Sequence, residues 1–193
     1  MTNVSISRQD AEPDREALSL RLGEACLAQG VRLTTAESCT GGGVASAITA
    51  IAGSSAYFET GYVTYANAAK RRLLGVSQAT LEAHGAVSEQ TVREMVIGAC
   101  RDSGADLGVS VSGVAGPAGG SPDKPVGTVW FAWGNQHHQR VERHHLPGDR
   151  RQVRELAVAV ALSGLIESVT KSRPGGPAAT SGASAPDASR RRD

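Results

Sequence analysis

Residues 31–52, VRLTTAESCTGGGVASAITAIA, pass from a short β-branched run through three consecutive glycines into small and branched residues. A buried strand, a tight turn and a helix satisfy that order. Threonine and valine suit a pleated, buried surface, and glycine admits the backbone conformations a sharp turn needs. A strand that hands straight to a helix needs helices on the faces of its sheet. This step therefore points the chain to a layered α/β fold.

The flanking segments extend the pattern. Pro13 and Asp14 open a helix with Leu18, Leu22 and Cys26 on one face and Gly30 as its stop. After the strand at 31–36 and the helix at 44–52, GYVTYA (61–66) predicts a second strand and AAKRRLLG (68–75) a short helix. Ser77 caps a helix over 78–84, and Ser88 caps a longer one to Asp102. ADLGVSVSG and VGTVWFAW (126–133) read as strands, with RVERHHL (140–146) as the hairpin partner of the latter. Asp149 and Gln152 form a capping box for a final helix over 150–169. The expected fold is a three-layer α/β/α sandwich with a mixed, mainly parallel sheet over residues 13–171. Residues 1–12 read as a flexible segment, and the Pro-, Gly- and Ser-rich residues 172–193 as a disordered tail.

Composition narrows the function. A net charge of +1 argues against a nucleic-acid partner, and no apolar run approaches the roughly 20 residues of a membrane span. The N-terminus has no apolar core of a signal peptide. Three widely spaced cysteines, Cys26, Cys39 and Cys100, read as reduced thiols of a cytoplasmic protein. Of 20 basic residues only Lys70, Lys124 and Lys171 are lysine, which matters because arginine stays protonated and cannot act as a base.

Four segments carry candidate chemistry. In TTAESCTGGG, Ser38 stands where a strand meets a glycine turn, and the first N–H groups of the next helix, near Gly41, Gly42 and Gly43, are donors for a phosphate or an oxyanion. The same turn is also what a strand-to-helix junction needs for structural reasons alone. In GYVTYANAAK, Tyr65 ends a strand and Lys70 lies in a helix's first turn, where the dipole lowers its pKa; a neutral lysine can deprotonate a serine. The bland alternative is a lysine on the solvated KRR face. The loop from Ser112 to Gly127 carries glycines, three prolines and Lys124, the make-up of a binding loop beside Ser112, Gly113 and Gly116. Arg150, Arg151 and Arg154 open the last helix against its dipole, a conflict that a bound anion at Arg150 or pairing with Asp149 and Glu155 relieves. Cys39 as a thiolate nucleophile lacks a partner base and reads as a packed thiol. The histidines 137, 138, 144 and 145 alternate on a predicted strand, with no acidic or cysteine cluster to complete a metal site.

Taken together, TTAESCTGG, GSSAYFETGYVTYANAAK, GAVSEQTV, SGVAGPAGGSPDKPVGTVWFA and the GDR before the last helix resemble the CinA C-terminal domain family, nearest its stand-alone nicotinamide-nucleotide amidases. The resemblance implies an α/β/α domain in a homo-oligomer that hydrolyses the carboxamide of nicotinamide mononucleotide, a step of NAD recycling, with no cofactor or metal. It implies Ser38 as nucleophile, Lys70 as base and Tyr65 beside them. Thr40, Gly41, Gly42, Ser55, Asn67, Ser112, Gly113, Gly116 and Arg150 fall on implied substrate contacts, Arg150 facing the phosphate. The alternative is a catalytically silent nucleotide-binding module of the same family. Nothing in the sequence supplies the N-terminal domain that many CinA proteins carry.

Overall fold

The computed structural model describes Val4–Ser5 and residues 14–171. Val4–Ser5 is a two-residue strand, β1, within the segment expected to be flexible; the rest of that segment and the expected tail lie outside the described residues. The elements that follow are α1 (Arg15–Gln29), β2 (Leu33–Glu37), α2 (Gly43–Thr49), a single 3-10 turn (Ser54–Ala56), β3 (Phe58–Val63), α3 (Asn67–Leu74), α4 (Gln78–His84), α5 (Glu89–Ser103), β4 (Leu107–Gly113), β5 (Thr128–Gly134), β6 (Gln139–His145) and α6 (Arg150–Lys171).

Helix ends fall where short polar side chains satisfy unpaired N–H groups. Asp14 accepts from Glu16 and Ala17, and Ser77 and Ser88 accept from Thr80 and Thr91. At α6 the capping box closes in both directions: Gln152 N–H donates to Asp149 and Asp149 N–H to the Gln152 side chain, each at 2.9 Å.

The strands form one sheet in the order β1-β6-β5-β4-β2-β3. The half containing β3, β2 and β4 is parallel, β5 and β6 run antiparallel to their inner neighbours, and β1 adds to β6 in parallel. Helices α1, α2 and α6 cover one face and α3, α4 and α5 the other, the expected three layers. On the first face Leu33, Val109 and Phe131 pack against Leu22, Ile48 and Leu162. On the second, Ala36 meets Leu74, Met95 and Ala99. β2 lies between two parallel neighbours and is buried at all five positions, so its C-terminal end is firmly placed.

β3 differs from expectation. It spans 58–63, not 61–66, because its pairing with β2 runs from Leu33↔Phe58 to Glu37↔Val63 and ends with the Thr64 N–H on the Glu37 carbonyl at 2.8 Å. Thr64 and Tyr65 thus leave the sheet, with consequences for Lys70.

Candidate active site

Ser38 is the first residue beyond β2, and its N–H donates to Val111 O at 2.9 Å, extending the ladder by one bond. Alternation along β2 aims its side chain, like Ala36, at the α3/α5 face. There Lys70 enters from α3, 1% exposed, with Nζ 2.9 Å from Ser38 Oγ, 2.8 Å from Thr64 O and 3.3 Å from Tyr65 O. A neutral amine has two N–H donors and one lone pair. The two carbonyls match the donors, which leaves the lone pair for the Ser38 hydroxyl. Burial pushes the Lys70 pKa from 10.5 down to about 8, the neighbouring Cys39 opposing slightly. Burial thus does the work that the helix dipole was expected to do.

The glycine turn is more self-contained than its sequence implies. Glu37, fully buried, accepts the N–H groups of Gly42, Val44 and Ala45 at 3.0, 3.0 and 2.8 Å. Gly41 N–H donates to Ser38 O at 3.1 Å and Gly43 N–H to Thr40 O at 3.2 Å. The amides of Gly41, Gly42 and Gly43 are therefore all engaged within the chain, which corrects their expected role as open donors to a ligand. The left-handed φ of Gly41 and Gly42, +63° and +93°, makes the turn possible. Cys39 is 6% exposed, and burial raises its thiol to about 12, so it stays protonated and packs.

Arg150 joins three segments. Its Nη1 donates to Gly116 O at 2.9 Å and its Nη2 to the Tyr65 hydroxyl at 2.8 Å. Arg151 pairs instead with Glu155. One turn on, Arg154 Nη2 donates to Thr40 O at 3.0 Å and ties α6 to the turn. Ser38, Lys70, Tyr65, Thr40, Gly116 and Arg150 are thereby brought to one end of the sheet. Asn67 lies exposed at the start of α3, three residues before Lys70.

Other expected contacts fall elsewhere. Ser112 is 1% exposed and donates to Ala86 O at 2.7 Å, so it fastens the α4–α5 loop to β4 and does not face solvent. Gly113 is needed for packing, since a Cβ there would lie 2.7 Å from Val129 Cγ2. Ser55 precedes β3 and sits at the opposite end of the parallel pair from Ser38, about 16 Å along the strands at ~3.3 Å per residue, so a single chain does not bring the two together. His137 and His138 occupy the β5–β6 turn, their N–H groups on Asn135, while His144 and His145 end β6. Six residues of strand, roughly 20 Å, separate the pairs. Among the described residues no group of three or more His, Cys, Asp or Glu is placed to hold a metal ion, and no helix is long and apolar enough to cross a membrane.

A groove of about 610 Å³ lined by Trp130, Val141, Arg143, Lys124 and Val87 contains none of Ser38, Lys70, Tyr65 or Arg150. Hydrogen-bond geometry marks the chemistry here. Sequence reasoning missed Glu37 and Thr64, and read Arg154 only as helix-start charge, without its bond to Thr40 O. A carboxylate immediately ahead of Ser38 and six residues ahead of the start of α2 was the available signal for Glu37. The Thr64 carbonyl had none.

The model of the CinA C-terminal domain family matches residues 15–169. The nicotinamide-nucleotide amidohydrolase PncC of Pseudomonas putida is 55% identical over 150 residues, 78% of this chain and 94% of that protein. The PncC of Escherichia coli K12 is 55% identical over 149 residues, covering 77% and 90% of the two chains. Among solved structures, the competence damage-inducible protein A of Klebsiella pneumoniae superposes with a TM-score of 0.80 at 43% identity, over 83% of this chain and 99% of that one. With a family match over nearly all the described residues and relatives above half identity, the chain belongs to the CinA C-terminal domain family.

Proposed function

We propose that the chain is an amidohydrolase that converts nicotinamide mononucleotide and water to nicotinic acid mononucleotide and ammonia, with Ser38 and Lys70 as its dyad. The observation that carries this reading is the Lys70 amine, buried, held by two carbonyls and 2.9 Å from Ser38 Oγ. The relatives named nicotinamide-nucleotide amidohydrolase supply the substrate class. Lys70 takes the Ser38 proton as Oγ bonds to the carboxamide carbon and the carbonyl electron pair moves onto oxygen. Collapse of the tetrahedral species breaks the C–N bond, and Lys70 returns its proton to the departing nitrogen, giving ammonia and an acyl-serine. Water, deprotonated by Lys70, then adds to that ester; Ser38 leaves with the proton and the carboxylate is released. The pyridinium charge withdraws electrons from the carboxamide and favours attack. Arg150, whose two bonds are to neutral oxygens, is the proposed phosphate partner. We place the enzyme in the cytoplasm as a homo-oligomer acting without metal or cofactor; its three free cysteines support that setting.

The test is ammonia release from nicotinamide mononucleotide by wild type, Ser38→Ala and Cys39→Ala. Activity lost in the first variant and kept in the second is expected. Activity surviving Ser38→Ala would remove the nucleophile assignment, and a wild type that binds the nucleotide but releases no ammonia would make the chain a binding module.

A further inference from the structure

Attack by Ser38 creates an oxyanion that needs donors at about 2.7–3.1 Å. The turn after Ser38 offers few. Ser38 N–H is spent on Val111 O, Gly41 N–H on Ser38 O and Gly43 N–H on Thr40 O. Gly42, Val44 and Ala45 are spent on the Glu37 carboxylate. The N–H groups of Cys39 and Thr40 find no oxygen among the described residues; both lie against the Cys39 sulfur, a weak acceptor. Their direction follows from the peptide plane. In a trans peptide C=O and N–H point opposite ways, and Ser38 C=O points inward to Gly41 N–H, so Cys39 N–H points out of the turn.

We propose that the Cys39 and Thr40 N–H groups are the oxyanion donors of the Ser38 reaction, and that Glu37 is the positioning residue that makes them so. The inference rests on Ser38 as nucleophile but not on the identity of the substrate. Glu37 acts in two ways. It saturates the N-terminal amides of α2, so neither a phosphate nor the oxyanion is drawn there. It also clamps Gly42, Val44 and Ala45, which fixes the far side of the turn whose near side is pinned by Val111. Arg154 completes the frame by holding Thr40 O from α6, and Thr40 itself is 1% exposed. A developing negative charge then meets two preset dipoles beside a protonated thiol, and among the described residues no carboxylate is hydrogen-bonded to those dipoles.

The experiment has two arms. In wild type, amide hydrogen exchange followed by NMR is compared before and after Ser38 is labelled with a fluorophosphonate, which loses fluoride and leaves a phosphonyl oxygen in the oxyanion position. Cys39 and Thr40 N–H should slow at least tenfold on labelling, while Gly42, Val44 and Ala45 are protected in both states. Slowing at Gly42 to Ala45 instead, or no change at Cys39 and Thr40, overturns the assignment; absence of label at Ser38 overturns it together with the nucleophile. In the second arm Glu37→Gln, which keeps size and loses the charge and one acceptor oxygen, is assayed per active site titrated with the same probe. Turnover should fall about a hundredfold, with KM within threefold and the pH midpoint unmoved. Turnover per titrated site within threefold of wild type would reduce Glu37 to a structural cap. If wild type is labelled at Ser38 yet releases no ammonia from nicotinamide mononucleotide, the substrate reading fails while the exchange arm still decides this one.

Discussion

Lowering the pH from 8 to 6 should reduce kcat/KM about fiftyfold, because the neutral fraction of Lys70 falls from about one half to about one hundredth around a pKa of about 8. The sign follows from the cause. Burial disfavours the ammonium, so the active amine is the high-pH form, and the rate should climb about tenfold per unit below pH 7 and level off above 9. The size of the effect comes from the site. With an ordinary lysine pKa of 10.5, the neutral fraction at pH 7 would be about 300-fold smaller, a difference of about 3 kcal/mol that burial of a 1% exposed side chain supplies. Initial rates of ammonia release from nicotinamide mononucleotide between pH 6 and 9.5, at substrate well below KM, read this directly. Lys70→Arg keeps a cation and cannot lose its proton, so it should be at least a thousandfold slower at every pH. A flat profile from pH 6 to 8, or an active Lys70→Arg enzyme, would refute the assignment of Lys70 as base.

Two further outcomes test the surroundings of the dyad. Arg150→Ala should raise KM for the mononucleotide ten- to a hundredfold, about 1.4–3 kcal/mol of a charge-assisted contact, and barely change it for the phosphate-free riboside; equal effects on both would show that Arg150 only holds Gly116 and Tyr65. Gly98→Ala should destabilise the protein by more than 2 kcal/mol in urea unfolding, because its Cβ would collide with the Leu74 carbonyl and lie 2.8 Å from Leu74 Cα, where α5 meets α3; an unchanged midpoint would mean that the two helices yield easily.

How much could be read from the sequence depended on how local the determining interaction is. Asp14, Ser77, Ser88 and the Asp149–Gln152 pair each act within three residues, so the starts of α1, α4, α5 and α6 were legible. The hairpin of β5 and β6 was legible too, since its strands are adjacent in the chain. β3 was misplaced by three residues because its ends are set by register against β2 and not by its own apolar run. At the site, Ser38 and Lys70 came from their motifs, but the reason for the lowered lysine pKa did not. That reason is burial of Nζ under long-range packing; the Thr64 and Tyr65 carbonyls, turned inward because β3 stops at Val63, only fix where the amine sits. The glycine amides read as available because the turn that occupies them is not visible in the sequence: Gly41 and Gly43 bond to the carbonyls three residues back, and Gly42 to a carboxylate whose chain position reads as strand. Ser55 lies at the far end of the β2–β3 pair from Ser38 within one chain, a separation that the motifs do not encode.

The placement of the two dyad residues has a thermal corollary. Ser38 is carried by a strand flanked by neighbours on both sides and buried throughout, a segment that opens only when the whole sheet melts. Lys70 is carried by an eight-residue helix that follows the edge strand and buries only Lys70 and Leu74. Such a short, peripheral segment belongs to the first part of a protein to detach on warming. With Ser38 and Lys70 as the proposed dyad, activity is expected to end when α3 lifts away, at a temperature below that of global melting, and to return on cooling without refolding of the strand that carries Ser38.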